Sequence, residues 1–387
     1  MPGEAWFDDA AVSTVWPVPL DAQSLRPNYR GWLLPGETNH AILIRAIVAD
    51  RLPDAIDRAG ARLACDVLDA SGEARLSGAV EAPAPGQHDI ALDAGPLPAG
   101  EYRVRVTLRA RGGELLGTRE FPVKRWAPDA APPEVYIDGA SRTLVRGKPF
   151  FPLGWYFGPG PTAKDFRDHI DRVAASPFNT IMCYGINAGG TDRVREYLDY
   201  LDAKGLKILY SIKDVFEGTK YFREPVLGFR GEEAIVRGIV SAFRDHPALL
   251  GWYLNDELPP SMRDRLEARY RLVRELDPRH PTWAVLYQVD ELFGYLDTAD
   301  VLGTDPYPIP SKPVTTVSDW AKKTDAVSGG HRPVWMVPQA FDWSHYHKDR
   351  PGRFPTIAEL RVMTYLCLIH GRSEEHTSEL QSRITTS

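Results

Sequence analysis

The chain has 387 residues, of which 43% are hydrophobic and 25% are charged, so it is long enough for two or three globular domains. The composition excludes a disordered chain, and no run approaches the ~18 consecutive apolar residues of a membrane helix. Since 46 Lys and Arg residues stand against 52 Asp and Glu residues, the net charge is −6, which argues against nucleic acid as a partner.

The N-terminal region alternates hydrophobic and polar residues with a period of two. In one such run Tyr102, Val104 and Val106 face one way, and arginines between them face the other. Turns rich in Gly and Pro separate the runs. This spacing predicts an immunoglobulin-like antiparallel β-sandwich over residues 1–126, followed by a proline-rich linker at residues 127–133.

Beyond the linker, apolar strand candidates alternate with amphipathic helix candidates. The predicted strands are Phe151–Phe157, Asn179–Tyr184, Lys207–Lys213, Leu249–Leu254, Thr282–Tyr287, Val301–Thr304 and Val334–Val337. Such alternation predicts a parallel sheet. Seven units over residues 134–371, ending on a helix, predict a (β/α)₈ TIM barrel that lacks its last strand. The alternative is a doubly wound open sheet, although no glycine-rich phosphate loop follows the first strand.

The two ends of the chain carry further expectations. Residues 372–387 are predicted to be a non-native tail, because the run RSEEHTSELQS from Arg372 to Ser382 resembles a translated sequencing adapter. The segment MPGEAWFDD at Met1 lacks the basic and apolar pattern of a signal peptide. The sequence therefore assigns no location, and it is compatible with a secreted or cell-envelope protein.

A barrel places its active site at the carboxyl ends of the strands, where this sequence has carboxylates, amides and aromatic residues. The residues predicted to bind substrate there are Trp155, Tyr156, Tyr184, Asp214, Asn255, Asp256, Tyr307, Gln339 and Trp343. Aromatic faces pack against sugar rings, and carboxylates and amides bond to sugar hydroxyls. The combination predicts an oligo- or polysaccharide as the partner.

The phrase GWYLNDELPP, from Gly251 to Pro260, delivers three polar side chains at the end of the fourth strand. Strand alternation predicts that Asn255 and Glu257 face one side and Asp256 the other. A glycosidase needs a carboxyl that stays protonated near neutral pH, and burial beside another carboxylate provides one. Glu257 is the candidate. Alternatively, the phrase is a solvated loop or a cap for the following helix.

Two phrases resemble a known family. RGKPFFPLGWY, from Arg146 to Tyr156, is similar to the start of the barrel in clan A glycoside hydrolases, including the β-galactosidase and β-glucuronidase-like families, in which a sandwich precedes the barrel. GWYLNDELP resembles their fourth-strand motif. The resemblance implies glycosidic bond cleavage with Glu257 as the acid/base and with no cofactor or metal. The sequence departs from the motif in that Asp256, rather than Asn, precedes this glutamate.

The second catalytic carboxylate is less certain from the sequence. The family places a glutamate nucleophile at the end of strand seven, where this chain has Gln339, and an amide cannot serve as that nucleophile. Asp305 is predicted to supply the carboxylate, with Asp342 or a residue of the missing eighth strand as alternatives. A pair about 5–5.5 Å apart would indicate retention and about 6.5–9.5 Å inversion. A non-catalytic carbohydrate-binding or cell-surface module is the alternative function.

Overall fold

The computed structural model describes residues 18–50, 52, 60–156, 158–327, 329–330, 332–346 and 352–370, without the side chain of His345. Phe157 and the predicted tail at residues 372–387 lie outside the described residues. The chain divides into two compact units, Met1–Ala130 and Ala131–Ser387. This division falls inside the segment predicted to be a linker.

The first unit consists of two β-sheets around a shared hydrophobic core. Its strands are β1 (Leu20–Arg26), β2 (Trp32–Leu33), β3 (Ala41–Val48), β4 (Arg62–Leu68), β5 (Ala74–Glu81), β6 (Gly86–Asp93), β7 (Gly100–Arg109) and β8 (Leu115–Arg125). One sheet has the order β1-β3-β6, and the other has the order β2-β8-β7-β4-β5. Alternate residues of each strand are buried, such as Ile42 and Ile44 in β3 and Val104 and Val106 in β7. The period of two therefore marks the faces that meet in the core.

The second unit opens with a small antiparallel sheet and continues as alternating strands and helices. The small sheet contains β9 (Val135–Ile137), β10 (Thr143–Val145) and β11 (Lys148–Pro149). The later strands are β12 (Gly154–Tyr156), β13 (Thr180–Cys183), β14 (Lys207–Ser211), β15 (Leu249–Asp256), β16 (Thr282–Leu286) and β17 (Val301–Thr304). The helices are α1 (Phe166–Ala174), α2 (Thr191–Ala203), α3 (Glu232–Phe243), α4 (Arg263–Leu276), α5 (Thr316–Val327) and α6 (Ile357–His370).

Strands β12 to β17 form one six-stranded sheet in which every neighbouring pair is parallel and the strand order follows the chain order. A doubly wound sheet reverses its strand order at a switch point, and no reversal occurs between β12 and β17. Helical residues such as Tyr197, Ile239 and Val273 are buried against the strands. The second unit is therefore an α/β layer built on a parallel sheet.

The parallel sheet curls into a half-barrel. Flat strands lie about 4.8 Å apart, so β12 and β16, four strands apart, would be separated by about 19 Å. Instead the rings of Tyr156 in β12 and Trp283 in β16 have their centroids 6.0 Å apart. The Tyr156 hydroxyl also lies 2.8 Å from the Tyr253 hydroxyl of β15. The curl brings side chains from distant strands onto one concave surface.

The seventh predicted strand, Val334–Val337, pairs with β17 without forming a full ladder. Val334 makes an isolated parallel bridge to Leu302. The Trp335 amide donates to the Leu302 carbonyl, and the Val337 amide donates to the Thr304 carbonyl, each at 3.0 Å. The segment thus extends the parallel arrangement by one more extended stretch, and it leads directly into Gln339.

Candidate functional site

A β-bulge at the end of β15 decides which polar side chains face the concave surface. Tyr253 and Asn255 pair with consecutive residues of β16, so Leu254 is an extra residue in the ladder. The extra residue reverses the alternation, and Asp256 therefore shares a face with Tyr253, whose hydroxyl donates to it at 2.7 Å. The prediction from simple alternation, which placed Asn255 and Glu257 on one side and Asp256 on the other, did not allow for this bulge and is wrong for the face of Asp256.

Asn255 serves the loop rather than the open site. Its side chain is fully buried, and its Oδ1 atom accepts a hydrogen bond from the Leu258 amide at 2.9 Å. The Leu258 carbonyl in turn accepts from the Tyr295 hydroxyl at 2.9 Å. In this structure Asn255 does not reach the surface at which a substrate was predicted to bind. Its side chain lies beneath the turn that carries Glu257.

Glu257 has a left-handed backbone conformation, with φ of 59°. A non-glycine residue in this region is strained by about 1 kcal/mol or more and persists only where its surroundings hold it. Here the Glu257 amide donates to the Val285 carbonyl at 2.9 Å, and the Gln288 side-chain amide donates to the Glu257 carbonyl at 3.2 Å. The strained backbone therefore lowers the stability of the fold, and it directs the Glu257 side chain to the mouth of the half-barrel.

The Glu257 carboxyl meets the Asp305 carboxyl. Asp305 follows β17 and is only 3% exposed, and the two carboxyls are close enough for each to shift the pKa of the other. Two carboxyl groups this close disfavour the state in which both are ionised. Burial, together with the Glu257 carboxyl, raises the pKa of Asp305 to about 9, and burial raises the pKa of Glu257 as well. The pair is built to retain one proton at neutral pH.

Asp256 sits beside this pair in an environment of hydrogen-bond donors. Its Oδ1 atom accepts from the hydroxyls of Tyr253 at 2.7 Å and Tyr156 at 3.2 Å. Its Oδ2 atom lies 3.0 Å from the Lys213 ammonium, which is also 2.9 Å from Asp214. Burial lowers the pKa of Lys213, and the Asp256 and Asp214 carboxylates more than reverse this, so the pKa is raised overall. Lys213 therefore remains a cation bridging two carboxylates.

Three tyrosines connect the first, second and fourth strands beneath these charges. The Tyr156 hydroxyl lies 2.8 Å from those of both Tyr184 and Tyr253. Burial raises the pKa of all three phenols, which keeps them neutral and able to donate. The Lys213 ammonium lies 4.1 Å from the centre of the Tyr184 ring, within the range of a cation–π contact. The network fixes Asp256 and Lys213 in one arrangement.

An aromatic rim, formed by Tyr307, Phe341, Trp343 and Tyr346, lies next to the carboxyl pair. The Tyr307 ring is 4.8 Å from that of Phe341 and 5.9 Å from that of Trp343. Phe341 is 5.0 Å from Tyr346, whose side chain is 63% exposed. Burial, and next the Asp305 carboxylate, raise the pKa of the Tyr307 phenol, so the rim adjoins the carboxyl pair. The rim offers apolar ring faces beside these polar, acidic side chains.

The structure thus brings together most of the predicted site residues. The group contains Tyr156, Tyr184, Asp214, Asp256, Glu257, Asp305, Tyr307 and Trp343. Trp155 is not part of it, because it alternates with Tyr156 on β12 and its ring contacts are instead with Phe178 at 5.7 Å and His169 at 6.3 Å.

Gln339 is also not part of the open group. It is fully buried, and its amide is bound to the backbone: Nε2 donates to the carbonyls of Ile309 at 2.9 Å and Phe341 at 3.0 Å, and Oε1 accepts from the Ile309 amide at 2.8 Å. Asp342, the alternative second carboxylate, accepts from the Ser344 amide at 2.8 Å and starts the short helix Trp343–His345. Both residues shape the aromatic rim from below.

Sequence reasoning missed Lys213, Tyr253, Phe341 and Tyr346. Lys213 is the last residue of the predicted third strand and precedes Asp214, so its position at a strand end is the signal that identifies it. Tyr253 would have been assigned to the site only with knowledge of the bulge at Leu254. Phe341 and Tyr346 follow the seventh strand, where a run of aromatic residues is the available signal.

The described residues hold neither a metal-binding cluster nor a membrane-spanning helix. Within the described ranges, no three or more His, Cys, Asp or Glu side chains are grouped so as to hold a metal ion. Among the helices of those same ranges, none combines the length and apolar character needed to cross a membrane.

No family profile matches the sequence, and a search of curated proteins found no match. Similar solved structures include a Bifidobacterium dentium β-glucuronidase complexed with coumarin-3-O-glucuronide, with 16% identity over 91% of this chain and 57% of that one and a TM-score of 0.46. A Dictyoglomus thermophilum β-D-glucuronidase has 12% identity over 87% and 58%, with a TM-score of 0.43. A GH2 β-galacturonidase from Eisenbergiella tayi bound to galacturonate has 16% identity over 78% and 54%, with a TM-score of 0.42. The chain spans less than two thirds of each of these structures.

Proposed function

We propose that the protein is a glycoside hydrolase in which Glu257 is the general acid. The observation that carries the proposal is the Glu257–Asp305 carboxyl pair at the mouth of the half-barrel, in which burial raises the pKa of both groups. Glycoside cleavage requires a carboxyl that is still protonated near neutral pH. The aromatic rim beside the pair offers the ring faces against which a sugar packs.

In the proposed reaction the shared proton moves to the glycosidic oxygen while the bond from that oxygen to the anomeric carbon breaks. The leaving sugar or alcohol departs neutral, and the pair is left without its proton. Water then adds to the anomeric carbon and returns a proton to the pair, which restores the starting state. The developing positive charge on the sugar lies near the Asp256 carboxylate, which Tyr253, Tyr156 and Lys213 hold in place.

This proposal changes the role of Asp305. As the predicted second carboxylate, Asp305 would stand about 5–5.5 Å or about 6.5–9.5 Å from the acid. Burial and the neighbouring Glu257 carboxyl instead raise the pKa of Asp305 to about 9, so this carboxyl is protonated at neutral pH, whereas a nucleophile or base has to be ionised. We therefore assign Asp305 as the partner that keeps the proton on the pair, a positioning role, and Glu257, which reaches the exposed mouth, as the group that delivers the proton.

We also propose the architecture in which this site belongs. Residues 1–126 would form an immunoglobulin-like sandwich and residues 134–371 part of a (β/α)₈ barrel. Support for the barrel is the chain-order parallel sheet, its curl, and the extended segment Val334–Val337 that continues beside β17. In such a barrel the carboxyl ends of the strands carry the chemistry, and Glu257 and Asp305 stand at two of those ends.

The test is hydrolysis of a broad panel of aryl glycosides by the wild type and by Glu257→Gln. On the members of the panel with poor leaving groups, we expect the variant to lose about 10² to 10⁴ in kcat/KM, because an amide of the same shape cannot donate the proton. Glu267→Gln is the matched control, since Glu267 lies on α4 and pairs with Arg271. Equal turnover by the wild type and Glu257→Gln would remove the acid assignment.

Gln339 favours a second candidate function, a carbohydrate-binding module without catalysis. The strand-seven position at which glycosidases resembling this sequence have a carboxylate is here an amide bonded to the backbone of Ile309 and Phe341. The same panel separates the two functions. Saturable binding of glycans, with no turnover of any substrate by the wild type, would favour the binding module.

A further inference from the structure

The charges of the candidate site are unbalanced. Asp214 and Asp256 share one cation, Lys213, at 2.9 and 3.0 Å. Glu257 and Asp305 are two further carboxyls beside them, and neither adds a positive charge. The net charge of these five groups is negative, and they line the depression in which a sugar would lie.

The Lys213 ammonium is occupied by groups of the protein and is not available to bind an anionic ligand. Its side chain is 8% exposed, its ammonium is bonded to both carboxylates, and it faces the Tyr184 ring at 4.1 Å. Asp256, by contrast, has a side chain that is 22% exposed, so a carboxylate oxygen rather than the ammonium is presented to a ligand. A sugar hydroxyl can donate to that oxygen, whereas a second carboxylate would be repelled by it.

A second lysine, Lys220, contacts the Tyr221 ring together with Lys213. Lys220 lies 5.2 Å from the centre of the Tyr221 ring, and Lys213 lies 5.5 Å from the same ring. Tyr221 is 60% exposed, and Lys220 is an exposed residue, so its charge is screened by solvent ions. It does not offset the carboxylates that line the depression.

We propose that Asp256 and Asp214, with Lys213 locked between them, make this site select sugars without a carboxylate group, so that neutral hexosides are preferred over uronides. The inference rests on the proposed function for its catalytic form, but it concerns binding in the first place. The site presents hydroxyl acceptors and aromatic faces, and it repels an anionic substituent at the sugar ring.

The experiment compares matched 4-nitrophenyl glycosides: D-glucosides against D-glucuronides and D-galactosides against D-galacturonides, in both anomers. We expect kcat/KM for the neutral member to exceed that of the uronide by at least about tenfold, and the ratio to fall as ionic strength rises. In Asp214→Asn, which removes one negative charge, the ratio should fall severalfold. Asp171→Asn is the control, because Asp171 bonds to Lys204 and Tyr200 in the outer helix layer and its loss should leave the ratio unchanged.

Binding keeps the two proposals separate. Titration calorimetry with the free sugars D-glucose, D-galactose, D-glucuronate and D-galacturonate measures selection without turnover. Neutral sugars bound more tightly, with no hydrolysis of any glycoside, would support the charge selection and overturn the catalytic proposal. Uronides bound or cleaved as well as the neutral sugars would overturn the charge selection, and binding of neither class together with no hydrolysis of any glycoside would overturn both.

Discussion

Glu257 combines two features that a fold selected for stability alone would avoid, a left-handed backbone and a carboxyl held against another carboxyl. Each feature has a structural cause on the neighbouring elements. Val285 and Gln288 bind the Glu257 backbone, and the end of β17 places Asp305 opposite its side chain. Strain of this kind concentrates where a side chain has to be aimed, which is consistent with the proposed acid role.

Replacing Glu257 with glycine should therefore stabilise the protein while it abolishes hydrolysis. Glycine adopts φ of 59° without steric cost, so we expect the free energy of unfolding to rise by about 1 kcal/mol in urea denaturation. Glu267→Gly, in the interior of α4, should instead lower it by about 1 kcal/mol. A loss of stability in Glu257→Gly similar to that in Glu267→Gly would contradict the strain argument.

The carboxyl pair also predicts how stability depends on pH. A carboxyl with a raised pKa binds its proton more tightly in the folded chain, so its stabilising effect is complete below the unfolded pKa and is lost as pH rises through the folded pKa. For Asp305 this loss occurs over the pH range from about 4, the usual pKa of aspartate in an unfolded chain, to about 9, its pKa in the folded chain. Over it we expect the wild type to lose at most about 1.4 kcal/mol per pH unit from this group.

Asp305→Asn should remove this slope, because an amide does not titrate. The measurement is the free energy of unfolding at intervals from pH 5 to pH 9, with Asp319→Asn on α5 as the control that keeps the wild-type slope. Parallel curves for the wild type and Asp305→Asn would show that no proton is retained at this position.

At the scale of elements, the apolar runs of the sequence predicted the strands closely. Val301–Thr304 was predicted with the bounds observed for β17, and Leu249–Leu254 corresponds to β15 at Leu249–Asp256. A buried parallel strand has a continuous apolar run, which a single sequence displays directly. The bulge at Leu254 was not predictable, because it depends on how β15 registers with β16 rather than on the composition of β15.

The role of Gln339, which lies in a loop, could likewise not be predicted from the sequence. The sequence suggested an amide that replaces a catalytic carboxylate, whereas the structure makes it a connector between Ile309 and Phe341. The distinction depends on which way the side chain turns at the end of the seventh strand. Its partners are backbone groups, which leave no trace in residue identities.

Gln339→Glu should consequently fail to create a nucleophile. A carboxylate at this position would face the carbonyls of Ile309 and Phe341 without a donor of its own, so we expect a loss of about 2–4 kcal/mol in the free energy of unfolding and no gain in turnover. Gln87→Glu, on an exposed strand, should change stability by no more than about 0.5 kcal/mol. A stable Gln339→Glu variant with raised activity would indicate a vacated nucleophile position instead.

At the scale of the whole molecule, the site is a property of the curled sheet. Asp256 on β15 receives bonds from Tyr156 on β12, from Lys213 just after β14 and from Tyr253 on its own strand. The alternation of strands and helices predicted the parallel order, and the rule that ligands collect at strand carboxyl ends predicted that these residues would meet. Their hydrogen-bond partners and protonation states required the coordinates.

The central claim is that Glu257 donates its proton to the glycosidic oxygen of the leaving group. A series of glycosides with different leaving groups tests this step directly. The measurement is kcat/KM for wild type and Glu257→Gln on glycosides ranging from 2,4-dinitrophenyl, which departs without protonation, to unsubstituted phenyl and methyl. We expect the variant to lose about 10² to 10⁴ on the poor leaving groups and less than about tenfold on dinitrophenyl. An equal loss across the series, or no turnover by the wild type, would contradict the assignment.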